Sequence, residues 1–554
     1  MRFPAPLVFT PLNWPLMKLL TTSLILLTLA SCTPQAATAQ RQGDPHVAAL
    51  RPATSGSPEP RIARAYLSAR AQGAETLYAF LARFPKGADL HVHLSGAVYA
   101  ETFLREAGED GMCVDPVALK FVQPSGSGAC APPLVAATEL SGEITPEAQA
   151  LYDRLVDAFS MRSFVPTPGW SGHDQFFATF SRFGGLSRTH TAEWVDEVAA
   201  RAAAQNQFYL ELMQTPPAPH VRQVAALVGW PSAGEPDFAA IRKAMLAAGL
   251  TQDLEANQRY PLDLEAERAR QERCATAEAA PACQVSIRYI YQILRGNPPA
   301  VVFAQTLLGF ETAEATVAAH QPGFVGINFV QPEDGYLSMR DYTLQMRMIG
   351  YLHTVYPDVH IALHAGELAP GLVPPEGLSF HIRQAVELAH AERIGHGVDL
   401  FHEADAQALL HEMASRHIMV EINLSSNEGI LGVAGRQHPF PLYRAAHVPV
   451  ALSTDDEGVS RIDLTHEYVR AALDYNLSYD DLKQLSRTGL AHSFLPGVDL
   501  WEHPDQFTRT VAACQSDRPG MEHPSAGCQK FLSESEKAAA EWTLERRFHV
   551  FERE

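Results

Sequence analysis

The feature that most narrows what this chain can fold into is a recurrence. Eight short runs rich in apolar and β-favouring residues are separated by longer stretches, many of them amphipathic and helical. The runs are 88–94 (ADLHVHL), 208–213 (FYLELM), 286–294 (SIRYIYQIL), 324–330 (FVGINFV), 360–364 (HIALH), 393–396 (RIGH), 418–424 (IMVEINL) and 448–453 (VPVALS). Helical patterning fills most of the intervals, as over 340–354, 378–389, 404–415 and 464–475. Strands alternating with helices in this way mark parallel βα units, and eight of them are the count of a closed barrel. The expected fold class is α/β: a (β/α)8 TIM barrel with two insertions and a C-terminal helical extension. At roughly 150 residues per domain, a chain of 554 would suggest about four domains. The strand succession instead assigns 61–500 to one enlarged barrel and 501–554 to the extension.

Two intervals are too long for simple connections, near 109–170 and 216–284. They read as insertions at the barrel rim, partly helical over 239–248 and 262–278. Each carries a cysteine pair, and the extension carries a third together with a charged final helix over 534–548. Cys113, Cys130, Cys274, Cys283, Cys514 and Cys528 thus fall into sequence-local pairs, the expected disulfides of an exported protein. About 15 connectivities remain open to six cysteines. The chain has seven cysteines, and the N-terminus accounts for the seventh. An apolar run over 19–30 follows Lys18 and is shorter than the roughly 20 residues that a membrane-spanning helix needs. It reads as a signal-peptide core. It ends in Leu29-Ala30-Ser31-Cys32, which resembles a bacterial lipobox whose cysteine is lipidated. Residues 1–31 are therefore expected to be a signal peptide, Cys32 a lipid anchor, and 32–60 a flexible tether rich in Ala, Gln, Pro, Ser and Gly. The expected location is the bacterial cell envelope, facing the periplasm or the exterior. Thr33, where an Asp would oppose sorting, fits the outer membrane by resemblance.

Chemistry gathers at the C-terminal ends of the predicted strands, where barrel enzymes keep their active sites. His91-Val92-His93 closes the first run, and alternation puts both imidazoles on one face. His364-Ala365-Gly366-Glu367 closes the fifth, His396 the sixth, and Asp455-Asp456 the eighth. Three imidazoles and one carboxylate suit a zinc ion with a position left open for water. A nearby carboxylate can then give a proton to the reacting ring, and Glu367 stands one short turn beyond His364. Each piece alone is weak in a chain with 23 histidines. His360, His402, His411 and His417 read as packed or solvent-facing. An Asp-Asp after a strand is often a helix cap. The ordered set, each member at a strand end, is what points to a site.

Here the sequence resembles a family. Pro85-Lys86-Gly87-Ala88-Asp89-Leu90-His91-Val92-His93-Leu94 is similar to the opening motif of adenosine deaminases. His364-Ala365-Gly366-Glu367, Arg393-Ile394-Gly395-His396-Gly397 and Ser453-Thr454-Asp455-Asp456 match the later motifs in order. Glu421-Ile422-Asn423-Leu424-Ser425-Ser426-Asn427 and His438-Pro439-Phe440-Pro441 also fit. The resemblance covers roughly 61–500, and the exported, insertion-bearing layout is similar to the extracellular branch of the family. It implies that His91, His93, His364 and Asp455 bind one zinc ion per chain. It implies that Glu367 protonates purine N1, and that His396 and Asp456 hold and activate the hydroxide attacking C6, with Asp456 also contacting N7. The products would be inosine or 2′-deoxyinosine and ammonia. His390-Ala391-Glu392 supplies a His-x-Glu, but the Pro-Cys-x-x-Cys of the other zinc deaminases is missing.

Two positions depart from the family pattern. Ser95 stands two residues after His93, where an Asp contacts the ribose. Gln331 stands in the strand-four loop where a Gly backbone N–H meets the purine, and Pro332 beside it has no N–H to offer. The substrate-binding candidates are thus His93, Ser95, Gln331, Asp456, Trp170 and Phe176. Trp170, His173, Phe176 and Phe177 are placed on one helix, either as pocket wall or as core. The expected partner is a small purine nucleoside. With 43 basic against 63 acidic residues, the net charge of −20 speaks against nucleic acid. Membrane contact is expected only through the anchor, and the sequence is silent on oligomeric state. Alternatives are a deaminase of another 6-aminopurine, an amidohydrolase cleaving an amide or ester, and a non-enzymatic surface binding protein. The two-metal amidohydrolases carry a modified lysine on strand four, and 324–330 contains none.

Overall fold

The computed structural model describes residues 60–124, 130–141, 145–186, 188–319 and 321–553. The expected signal peptide, Cys32 and the tether up to residue 59 lie outside the described residues. Eight parallel strands form the centre: β1 Gly87–His93, β2 Gln207–Gln214, β3 Ser286–Leu294, β4 Phe324–Val330, β5 His360–Ala365, β6 Arg393–His396, β7 Met419–Ile422 and β8 Val450–Leu452. Their ends fall within two residues of the sequence expectation. Spatial order follows chain order, each strand pairing in parallel with the next. The ring closes just beyond β8, where Asp455 bridges in parallel to Val92 of β1. His93 N–H donates to the Asp455 carbonyl at 3.1 Å, and Asp455 N–H donates to the His91 carbonyl at 2.9 Å. This is the (β/α)8 TIM barrel that the strand count predicted.

The strands read as apolar runs because helices cover their outer face while side chains fill the interior. All seven residues of β4 are buried. Helices such as Pro299–Ala318, Tyr336–Val355 and Leu464–Asp474 form the outer layer. Residues 113–183, after β1, add three short antiparallel strands and the helices Pro146–Ala158 and Gly172–Phe183. They share a second apolar cluster around Phe103, Phe121, Phe159, Phe176 and Phe183. The helix Gly172–Phe183 is held at its start by Ser171, which accepts from Asp174 N–H while the Asp174 carboxylate accepts from Ser171 N–H. Gly172 is needed there because a Cβ would lie 1.9 Å from the carbonyl oxygen of Gly429. Trp170 precedes this helix rather than lying on it.

Between β2 and β3 run the helices Val221–Val228, Phe238–Ala247 and Leu254–Gln271. The last starts earlier than expected and contains Pro261. Proline there removes the bond to the Asn257 carbonyl, and the buried Asn257 side chain instead bonds the Pro217 carbonyl and the Tyr291 hydroxyl. The C-terminal helix Glu536–Arg553 folds back on the barrel. Phe548 and Phe551 pack on Phe84, just ahead of β1, at 5.6 and 5.9 Å between ring centres. No helix among the described residues is long and apolar enough to cross a membrane.

The three sequence-local cysteine pairs are bonded: Cys113–Cys130, Cys274–Cys283 and Cys514–Cys528. Of these, Cys514 and Cys528 are fully buried in a small cluster with Leu500, Trp501 and Trp542. Closing a loop of this length removes about 3 kcal/mol of chain entropy from the unfolded state. A Cys514→Ala/Cys528→Ala variant should lose stability on that order, read as a lower denaturant midpoint; an unchanged midpoint would contradict it.

Candidate metal centre and active site

The residues that close the barrel also build the site. His91 and His93 share a face of β1, His364 sits in β5, and Asp455 directly follows β8. Asp455 adopts a left-handed backbone, φ +61°. The loop is clamped from β1 itself: the Asp89 carboxylate accepts from Thr454 N–H at 3.1 Å and from its hydroxyl at 2.8 Å. As a result the Nε2 atoms of His91 and His93 each lie 3.3 Å from Asp455 Oδ1. His93 Nε2 lies 3.0 Å from His364 Nε2. One donor atom from each of the four residues falls within 4.8 Å of every other.

Hydrogen bonds on the far side of each ring fix what these nitrogens can do. His91 Nδ1 donates to the Glu421 carboxylate at 2.5 Å. Asn328 Oδ1 accepts the backbone N–H of His364 at 3.0 Å and therefore also accepts from His364 Nδ1, at 2.8 Å. His93 Nδ1 donates to Gln292 Oε1 at 3.2 Å. With the Nδ1 protons spent outward, all three Nε2 lone pairs converge, and two of them face each other with no proton between. His91 Nε2 is buried without any hydrogen-bond partner. A cation is what such a set of acceptors fits. Burial, then the neighbouring His91 and His93, holds His364 well below the usual imidazole range. Burial resists charge at His91, yet the Asp455 and Glu421 carboxylates favour it, so the niche suits a cation. Ser426 O–H donates to the remaining oxygen of Asp455 at 2.6 Å.

Around this centre stand the expected acids. Burial, then the Asp455 and Glu333 carboxylates, pushes Glu367 well above the carboxylate range, which favours a protonated group able to donate. Its loop is pinned by Glu333, whose two oxygens accept from Gly366 N–H at 3.1 Å and Glu367 N–H at 2.8 Å. His381 donates to the same Glu333 carboxylate at 2.5 Å. Asp456 lines the cavity, and Gly96 makes room for it, since a Cβ there would lie 1.5 Å from Asp456 Oδ1. His396 is fully buried, with Nδ1 3.7 Å from Glu367 Oε1.

A cavity of about 560 Å³ opens onto His93, His364, Glu367, Asp455 and Asp456, while His91 and His396 lie behind its wall. Ser95, Phe176, Gln331, His93 and Asp456 line it, as expected of substrate-contact candidates. Phe177, Phe180 and Trp194 complete an aromatic wall. Trp170 does not line it and is corrected: its backbone bridges to Thr167, its indole donates to Gln175, and Arg182 covers its ring. His173 is likewise turned away, onto Asp334 at 2.9 Å. Gln331 takes a glycine-like backbone, φ +85°, and its side chain accepts from Gly296 N–H at 2.9 Å. The loop path that a glycine would follow is therefore kept without one. His360 stacks on Phe494 and His417 pairs with Asp505, both apart from the cavity.

The outer residues, Asp89, Gln292, Asn328, Glu333, His381, Glu421 and Ser426, were not singled out from the sequence for any role. The signal for two of them is visible in hindsight. Asn328 and Glu421 are polar side chains inside the otherwise apolar runs FVGINFV and IMVEINL, where both faces are buried.

Eight parallel strands thus carry a convergent His/Asp cluster at their C-terminal ends. A family model described as adenosine deaminase matches residues 265–499. The adenosine deaminase of Klebsiella pneumoniae is 34% identical over 184 residues, which is 33% of this chain and 50% of that protein. That of Escherichia coli is 37% identical over 139 residues, 25% of this chain and 38% of its own length. The chain thus spans about half the length or less of these curated relatives. Among solved structures, an adenine deaminase from Arthrobacter aurescens aligns with TM-score 0.46 at 16% identity, over 74% of this chain and 94% of its own. Over residues 265–499 the chain is thus similar to adenosine deaminases.

Outer partners of metal-binding histidines typically set affinity by a factor of about 10–100. Glu421→Gln should therefore weaken zinc binding by about that factor in a chelator competition, with the fold retained by circular dichroism. Unaltered affinity would remove Glu421 from the support of the centre.

Proposed function

We propose that this chain is a zinc-dependent hydrolase that deaminates adenosine or 2′-deoxyadenosine to inosine or 2′-deoxyinosine, releasing ammonia. The observation that carries the reading is the cluster of His91, His93, His364 and Asp455 beside a cavity that Glu367 and Asp456 line. A zinc ion held by the first four would lower the pKa of water toward ~7 and so supply a nucleophile at neutral pH. The chain's own groups do the rest. Glu367, kept protonated by burial and neighbouring carboxylates, delivers its proton to N1 and makes C6 electrophilic. Asp456 and His396 orient the attacking water. The aromatic wall of Phe176, Phe177 and Phe180 offers apolar surface to the purine plane. Ser95 and Gln331 supply neutral polar contacts where the family pattern has Asp and Gly.

The test is incubation of the zinc-loaded protein with adenosine, 2′-deoxyadenosine, adenine and AMP, following ammonia. Release is expected from the nucleosides; silence with all four would end the deaminase reading. Glu367→Gln should keep the zinc-to-protein ratio and lower kcat by about 10²–10⁴-fold. Near-normal turnover would take the acid role from Glu367.

The enzyme is proposed to act outside the cytoplasm, tethered through Cys32. The lipobox-like Leu29-Ala30-Ser31-Cys32 supports this, and the three disulfides suit an oxidising compartment. Cys32→Ser should move the protein from the membrane fraction to the soluble one, and retention on membranes would contradict lipidation.

A further inference from the structure

His396 ends β6 with a left-handed backbone, φ +70°, and is wholly buried. Its motif says nothing about which ring nitrogen carries the proton. A chain of hydrogen bonds decides it, and the chain starts at a peptide N–H, which can only donate. Phe440 N–H lies 3.1 Å from Nδ1 of His438. That nitrogen is therefore an acceptor, and in a neutral ring the proton sits on Nε2. Burial, then the Arg470 charge, pushes His438 down to about 3, so the ring is neutral. Its Nε2 lies 2.9 Å from the side-chain oxygen of Asn427 and donates to it. This orients the amide, because the oxygen is now taken by a donor. The Asn427 amide nitrogen lies 2.8 Å from Nδ1 of His396 and donates in turn, the shortest contact of this ring, while the Asn423 amide nitrogen stands farther off, 3.4 Å from Nδ1 and 3.5 Å from Nε2. Asn427 and His438 are 0% and 1% exposed, so water does not compete with either bond.

We propose that Asn427 and His438 are positioning residues that lock His396 as the Nε2–H tautomer, leaving it no free lone pair. In the reaction set out above, on which this inference rests, His396 then acts as a hydrogen-bond donor and not as a proton acceptor. The device spans three elements: the end of β6, the helix Leu424–Leu431 after β7, and the start of the helix Phe440–Ala445. Asn427 and His438 do not line the cavity.

Asn427→Asp is the decisive variant. It is isosteric, but a carboxylate accepts from both rings and moves the His396 proton to Nδ1. The zinc-loaded variant should lose at least 100-fold in kcat, while KM for adenosine changes less than about threefold and the zinc-to-protein ratio holds. His438→Leu, which frees the amide to turn, should lose kcat as well. His438→Gln, which restores a donor toward Asn427, should recover most of that loss. A kcat of Asn427→Asp within threefold of the wild type, or His438→Leu and His438→Gln behaving alike, would overturn the proposal. A second readout needs no substrate. In protein carrying 15N-histidine, the His396 resonance, identified by its loss in His396→Gln, should show the Nε2–H pattern and switch in Asn427→Asp. An Nδ1–H pattern in the wild type would overturn the tautomer assignment whatever the enzyme acts on. A correct tautomer without turnover on any purine would instead count against the deaminase reading alone.

Discussion

Two backbone hydrogen bonds hold the rest of the structure in place: His93 N–H to the Asp455 carbonyl, and Asp455 N–H to the His91 carbonyl. A parallel sheet has no use for an open edge, and closing the ring removes it. Here the closing bridge is made by the same residues whose side chains converge on the metal centre. Closure therefore sets the spacing of His91, His93 and Asp455 before any ion binds. Asp89 reinforces it by holding Thr454, one residue from Asp455. The geometry of the His/Asp cluster and barrel integrity rest on one seam, so damage to the seam is felt in both.

From that seam a line of buried charge runs into the barrel. His91 donates to Glu421, which also faces the Arg393 guanidinium at 2.8 Å. Arg393 in turn bonds Glu211 at 2.6 Å and lies 3.7 Å from the centre of the Phe494 ring. Such groups are costly to bury unless each is paired. Opposite charges alternate along this line, with Arg393 Nε and Glu421 Oε1 held by charge rather than by a hydrogen bond, and it ends on the open Nε2 of His91. The interior is thus arranged to present acceptors at the mouth, with their protons directed outward. A similar logic operates at His396, where Asn427 and His438 govern the ring from behind.

The mouth itself is finished by segments outside the eight βα units. The helix Gly172–Phe183 brings Phe176, Phe177 and Phe180 over the cavity and is seated by close contact at Gly172. Its partner cluster of Phe103, Phe121, Phe159 and Phe183 makes this wall a small core of its own. At the opposite end of β1, the returning C-terminal helix packs on Phe84. The insertion shapes what can enter, while the extension buries the strand bottom.

Much of this was legible in the sequence. Apolar runs with helical spacers announced the strands, because a strand buried on both faces has little freedom in composition. His91, His93, His364 and Asp455 stood out because each falls at a strand end in motif order. Trp170 was misplaced, since the turn that bridges it to Thr167 leaves no periodic mark. The glycine-like path of Gln331 was hidden for a related reason: the Gly296 N–H that holds its side chain comes from another loop. The roles of Glu333 and Asn427 left no such mark, because their partners Gly366, Glu367 and His396 stand 31 to 34 residues away. The chain alone determined the barrel and which side chains meet at its mouth, since both follow from local alternation and order. Only the tertiary structure decided which nitrogen of each histidine holds its proton, because that depends on acceptors and donors brought together by barrel closure.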